Sequence, residues 1–383
     1  MEISKRINST KASAIREPLN YFRYALILYC LIVIFVIPFQ SFFPHAKLFL
    51  PIIAFILILQ LIVYKTKIKL IDTIIVCLIL IASSLPVSSL VLFRYTLPIC
   101  FILIGFNDNK PTLLKKNYLT ILYWICLPSI LYQLVVYRNQ FFDGVARITL
   151  SVGDHNISGL FMLLFFFFCY KNKFRIGIGL SLLCVGFFLS RNYFISICVF
   201  FLILLFEAPF SKILSKIHFA YIFITVNFLV ILLSYYWITN VETSSLLYDS
   251  GASRLFSFSS FNDSSNLDRF EANVFLIQSY LNNPVLAFQG YRDTYGSVFQ
   301  PLRLLIHQSF LEVFAYTGVP FSCLYFFGFV RVVMRFYHKD NFKYIYSYLT
   351  FTLFLHSSLQ GATLTLFILI LSLPSKSKRL HPY

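Results

Sequence analysis

The sequence predicts an all-α polytopic membrane protein with about twelve transmembrane helices and one large non-cytoplasmic loop, on three grounds. Of the 383 residues, 58% are hydrophobic and only 12% charged, with a mean hydropathy of +0.77, whereas soluble globular chains carry about 25% charged residues. Apolar stretches long enough to cross a hydrocarbon core of ~30 Å recur from residue 24 almost to the C-terminus. The net charge of +17 falls in short clusters between those stretches, the pattern of the positive-inside rule. That placement argues against nucleic acid as a partner.

Taken in order, the apolar runs place helices at 24–43, 48–64, 70–86, 88–106, 117–136 and 156–170, then at 176–190, 192–207, 219–240, 308–330, 344–357 and 361–373. Several, notably the last two, are short for a full crossing, which leaves open two re-entrant pairs or a count that differs by two. Ahead of the first run, Lys5, Arg6, Lys11 and Arg16 lie in a polar segment without a small-residue cleavage site, so the first helix is expected to remain as an anchor. The eight cysteines all lie in apolar stretches, where they pack as small hydrophobes, and neither disulfides nor a metal are expected.

Orientation follows from the lysines. Lys65, Lys67 and Lys69, then Lys110, Lys115 and Lys116, then Lys171, Lys173 and Arg175 fall on alternate connections, followed by Lys212 and Lys216, Arg331 to Lys343, and the tail from Lys376. That side is predicted to be cytoplasmic, with both termini on it. The opposite side holds Lys47 and seven arginines: Arg138, Arg147, Arg191, Arg254, Arg269, Arg292 and Arg303. Guanidinium groups grip phosphate in a bidentate fork, so this bias suggests an anionic, phosphorylated ligand. Solvated salt bridges with Asp143, Asp154, Glu242 and their neighbours are the plainer alternative.

Three regions result: an N-terminal transmembrane bundle of about nine helices over 1–240, a large outer loop over 241–306, and about three C-terminal helices over 307–383. The first part of the loop is rich in serine, glycine and asparagine, the composition of irregular chain. After it, Leu267, Phe270, Val274, Ile277 and Leu281 recur at helical spacing, with Pro284 beyond the end. This predicts an amphipathic helix on the outer membrane face, its polar side presenting Arg269.

Arg191, between two membrane helices, Arg269 on the loop helix, and His307 at the mouth of the helix that ends the loop converge on one outer face by topology. Ionisable groups at such depth are costly unless paired or used. A turn arginine snorkelling to headgroups is the structural alternative for Arg191. Glu312 lies five residues past His307, about one and a half turns, so a direct pair between them is not expected. Arg292, Arg303, Arg147 and His155 are further outer-face candidates for sugar or phosphate, while Gly318 and Pro320 suit packing and a kink.

The order of "SRNYF" after a membrane helix, "LDRFEANVFLIQSYLNNPVLAFQGY" in a large outer loop and "HQSFLEVFAYTGVPF" entering the next helix resembles the O-antigen polymerase and ligase superfamily of bacterial envelope proteins. The segment "RITLSVGDHNISGLFMLLFF", with Asn156 at a helix start, is similar to another element of that family. Together these cover roughly residues 145–330. The chain departs from the family pattern at His307–Gln308, where His-Asn is common, and at the turn following "NP", which here reads "AFQGYRDTYG".

The resemblance implies an inner-membrane enzyme that carries out inverting, metal-independent glycosyl transfer on the periplasmic side, without a cofactor. Its substrate would be an oligosaccharide on undecaprenyl pyrophosphate, and its partners membrane lipids, a chain-length regulator and a flippase. Arg191 and Arg269 match the family's arginines and would clamp the departing pyrophosphate, and His307 would act as general base or hold the acceptor hydroxyl. The acceptor would be a lipid-linked repeat unit for a polymerase or the lipid A core for a ligase. A secondary transporter is a different class, but it would predict related halves, and no internal repeat is visible. In intact cells, a membrane-impermeant thiol reagent is expected to label a cysteine introduced at Ser259 and not one introduced at Lys173.

Overall fold

The computed structural model describes residues 70–84, 155–240, 264–292, 294–299, 306–355, 358–359 and 361–373, together with isolated positions between 99 and 136. Every regular element among them is an α-helix. These are α1 (Leu70–Ser84), α2 (His155–Lys171), α3 (Arg175–Phe188), α4 (Arg191–Leu205), α5 (Glu207–Leu214) and α6 (Phe219–Asn240). They continue as α7 (Ser264–Asn282), α8 (Pro284–Gln289), α9 (Thr294–Phe299), α10 (Ser309–Arg335), α11 (Lys339–Phe354) and α12 (Gly361–Ser372). Eight of the twelve expected membrane helices therefore have a counterpart. Those at 24–43 and 48–64 lie outside the described residues, and those at 88–106 and 117–136 almost entirely so.

By length and apolarity, α6 and α10 can each cross a membrane, and α4 with α5 make a third candidate if counted as one span bent by 95°. On α6 the apolar side chains point largely outward, with Tyr221, Ile224, Phe228 and Leu232 exposed, as expected of a surface meeting lipid. In contrast, α2 is buried all round: every residue from Met162 to Cys169 is closed to solvent, which makes it the central helix. Its phenylalanines interlock with α4 and α11. Phe166 meets Phe200 edge-on at 4.9 Å, and Phe200 meets Tyr344 at 5.3 Å.

Helices α4 and α11 run antiparallel, since Asn192 bonds to Phe354 at one end while Phe200 meets Tyr344 towards the other. The lysine-rich connections gather at the latter end. Lys171 Nζ donates to Asn341 Oδ1 at 2.9 Å and to the carbonyls of Leu371 and Leu373 at 3.1 Å each. Tyr337 donates to the Leu214 carbonyl at 3.0 Å. Arg331 and Arg335 both bind the fully buried Asp72, fixing α1 to α10.

Helix α10 is broken. Gly318 has φ 74° and ψ 175° inside it, and Pro320 follows with no N–H to offer. The carbonyls left over are taken up by the loop region: Ala315 accepts from Tyr291 N–H at 2.7 Å, Tyr316 from Arg292 N–H at 3.1 Å, and Phe314 from the Tyr280 hydroxyl. Gly290, at φ 72°, makes this approach possible, because a Cβ there would sit 2.5 Å from Gly318 N. A Cβ on Gly318 would come within 2.3 Å of the Phe288 carbonyl oxygen. The expected kink is thus a junction between helix and loop.

Gly318→Ala should destabilise the protein by at least ~1–3 kcal/mol from the left-handed backbone alone. In detergent its unfolding temperature should fall well below that of Gly186→Ala, whose new Cβ meets nothing within 4 Å.

Candidate functional site

The end of the bundle opposite the lysines begins with the cap of α4. Ser190 has extended backbone (φ −91°, ψ 113°) and its hydroxyl oxygen accepts from Tyr193 N–H at 3.4 Å, the N-cap geometry that ends one helix and starts the next. The same hydroxyl donates to Asn156 Oδ1 at 2.9 Å, tying the first turns of α2 and α4 together. Gly159 permits the close crossing, since a Cβ there would lie 2.9 Å from Tyr193 Cβ. Arg191 takes the first helical position, half-buried, with Nε and Nη2 closed to solvent. Asn156 serves here as the support of the Arg191 turn.

The segments that carry Arg191 and His307 meet at the same corner. Next to Arg191, Asn192 donates to the Phe354 carbonyl at 3.0 Å. Two residues after His307, Ser309 donates to the carbonyl of Leu355 and bonds Ser358. Adjacent carbonyls at the end of α11 therefore anchor both segments.

His307 is the middle of three non-helical residues, held on both sides. Before it, Ile306 N–H donates to the Tyr295 hydroxyl at 3.2 Å. After it, Gln308 occupies the N-cap of α10, but its amide Nε2 turns to α6 and donates to Asn227 O and Oδ1 at 3.2 and 3.1 Å. Burial, and after it the charge of Glu312, push the Tyr295 hydroxyl above its ordinary range, so it stays protonated while accepting from Ile306. Glu312 itself is only 4% exposed in the first turn of α10, where the helix N-terminus favours a carboxylate.

Arg269 stands differently from the sequence expectation. Helix α7 packs antiparallel on α6, with the rings of Trp237 and Phe270 6.3 Å apart and Asn273 Nδ2 donating to Ser234 Oγ at 3.1 Å. On α7, Asp268 and Glu271 are exposed, but Arg269 is half-buried with Nε closed to solvent, while Leu281 is 78% exposed. The buried face is thus rotated and holds Asn273 along with Phe270 and Val274, because α6 offers Ser234 as a polar partner. Seven residues separate Asn227 from Ser234, roughly 10 Å along α6. Arg269, one turn beyond Asn273, therefore lies further out than the Gln308 anchor, on the side of α6.

Arg292 plays a structural part. Besides its N–H bond to Tyr316, its Nε donates to the Gln289 carbonyl at 2.8 Å, and its φ is 50°. Arg147, Arg303 and the side chain of His155 lie outside the described residues. Two acceptors near the candidates stand out. Asn273 Oδ1 and Gln308 Oε1 are buried with no hydrogen-bond partner among the described residues. Both side chains, with Asn227, Ser234 and Tyr295, were absent from the expected site. Their signal was a polar pair seven apart on an apolar helix, hence on one face.

The described residues thus form an all-α bundle that includes helices long and apolar enough to cross a membrane. The chain matches no family model, no curated protein and no solved structure.

Tyr295→Phe removes the acceptor for the buried Ile306 N–H and should cost ~1–3 kcal/mol. Ser190→Ala should cost ~1 kcal/mol through loss of the cap. Thermal unfolding of the purified variants measures both.

Proposed function

We propose that the protein is a glycan polymerase of the O-antigen polymerase and ligase type. It would transfer a growing glycan from undecaprenyl pyrophosphate to a lipid-linked repeat unit on the outer face of a bacterial inner membrane. The twelve-helix topology with both termini cytoplasmic belongs to the same proposal, and the meeting of the lysine-bearing ends around Lys171, Leu214 and Tyr337 supports it. The observation that carries the functional reading is the corner where the segments bearing Arg191 and His307 are anchored, through Asn192 and Ser309, on the adjacent carbonyls of Phe354 and Leu355, with the open acceptor of Gln308 beside His307.

The chemistry would be a single displacement. An acceptor hydroxyl oxygen attacks the anomeric carbon as its bond to the pyrophosphate oxygen breaks, and the hydroxyl proton passes to His307 Nδ1 or Nε2. Negative charge grows on the leaving diphosphate, and fixed guanidinium groups in a site shielded from water stabilise it more than they stabilise the ground state. Arg191 takes this role first, with Arg269 further along the leaving group. Buried amide oxygens at Gln308 and Asn273 are suited to accept from sugar hydroxyls.

A ligase would use the same groups and differ in acceptor. The departure at Gln308, whose amide is spent on Asn227, favours the polymerase. A transporter would keep a broken helix open for its cargo, whereas the carbonyls at the α10 break are occupied by Tyr280, Tyr291 and Arg292.

Arg191→Ala, Arg269→Ala and His307→Ala should each abolish long-chain lipopolysaccharide on gels, leaving core with a single repeat unit, while membrane levels of the protein stay unchanged. Full ladders from all three variants would refute the mechanism, and bare core would point to the ligase.

A further inference from the structure

We propose that the groove between α4, α5, α6 and α11 holds one acyl chain of an anionic phospholipid, its phosphate lying at the level of Lys212 and Lys216. The proposal concerns the end of the bundle opposite Arg191 and is independent of the glycosyl-transfer reading.

The groove measures ≈ 270 Å³ and is lined by Val199 and Leu202 of α4, Phe210 and Leu214 of α5, and Leu349 and Leu353 of α11, among others. It exists because the chain turns by 95° after Leu205, so that α5 runs across the end of α4 instead of prolonging it. The far end of α5 is pinned by the bond from Tyr337 to the Leu214 carbonyl, which keeps it from folding down over the opening.

The walls suit hydrocarbon rather than water or peptide. Thr350, a polar lining residue, has its hydroxyl committed to the Tyr346 carbonyl at 2.9 Å, and the Tyr346 hydroxyl is bonded to that of Tyr337. Water needs two to four polar partners to occupy a cavity. A peptide segment would bring N–H and C=O groups that these walls could not satisfy. A lipid tail brings neither requirement.

Charge selects the headgroup. Phe210 and Leu214, four residues apart, share the face of α5 that meets the groove, whereas Lys212 falls between them on the exposed face, and Lys216 is exposed just past the helix end. Glu207, the acidic residue of α5, sits at its opposite end. A short helix with one apolar and one basic face lies in the plane of the headgroups. Each lysine near that surface should favour an anionic lipid about fivefold, or about 25-fold for the pair.

Leu202→Trp places a reporter at a half-exposed groove position, and the wild-type protein supplies the background from Trp124 and Trp237. The full-length protein in detergent micelles would be titrated with brominated-chain phosphatidylglycerol or brominated-chain phosphatidylcholine. Half-quenching should occur with phosphatidylglycerol at a mole fraction about 25-fold lower than with phosphatidylcholine. The doubly substituted Lys212→Gln, Lys216→Gln protein should bring the two curves within about twofold of each other. Superimposable curves in the protein with both lysines would overturn the headgroup assignment. A reporter quenched by neither lipid would overturn the site. Native mass spectrometry of the wild-type chain gives a readout free of the Trp substitution: one retained phosphatidylglycerol supports the proposal, and none retained refutes it.

Discussion

The structure depends on how the broken backbone of α10 is made good. Beneath a membrane surface there is no water to satisfy an interrupted helix, and each unpaired carbonyl costs several kcal/mol. Gly318 and Pro320 interrupt the ladder nine residues after the start of α10, and the chain folds back there, with Phe310 and Phe326 from the two sides of the break stacked at 4.6 Å. The loop answers with the hydroxyl of Tyr280 and the N–H groups of Tyr291 and Arg292. Those donors can arrive only if two glycines touch backbone to backbone, with neither bearing a Cβ. Loop and bundle are consequently one packed object along this seam, and a small aromatic cluster of Tyr291, Tyr295 and Phe299 closes over it beside Ile306.

That seam governs the polar corner. With the region from Pro284 to Phe299 fixed to α10, Tyr295 is in place to hold Ile306 and so to set the start of the segment containing His307. From the other direction, the interlocked phenylalanines of α2 and α4 with Tyr344 of α11 bring the cap of α4 against the end of α11. Two separately built frames thus bring Asn192, next to Arg191, and Ser309, two residues after His307, to neighbouring carbonyls. Such support by packed helices and committed hydrogen bonds is what a preorganised electrostatic site requires.

Much of this was legible in the sequence for simple reasons. Apolar length and lysine placement report directly on membrane helices, and so the starts of α2, α4, α6 and α10 fall close to where the runs predict them. The polar gap at Ser190, Arg191 and Asn192 announces a break between two helices. The helix at 264–282 was legible too, but its facing was not. Hydrophobic spacing alone points Leu281 inward and Arg269 outward, whereas burial follows Asn273, whose partner Ser234 lies on a different helix 39 residues away. The 95° bend after Leu205 left only a partial trace, because Glu207, Pro209 and Lys212 end the apolar run but nothing in that composition fixes the angle at which the chain continues. Tertiary hydrogen bonds between distant polar residues are set by three-dimensional proximity, and a pattern of hydropathy does not encode it.

All three protons of the Lys171 ammonium are engaged, two of them by carbonyls at the end of α12. In effect, a side chain from the centre of the protein serves as the stop for its final described helix. The register of that helix is therefore dictated from 200 residues upstream, and the polypeptide must be synthesised through Leu373 before Lys171 acquires its full set of acceptors. Any truncation reaching Leu371 would take away two of the three acceptors around Lys171 and leave it with Asn341 alone.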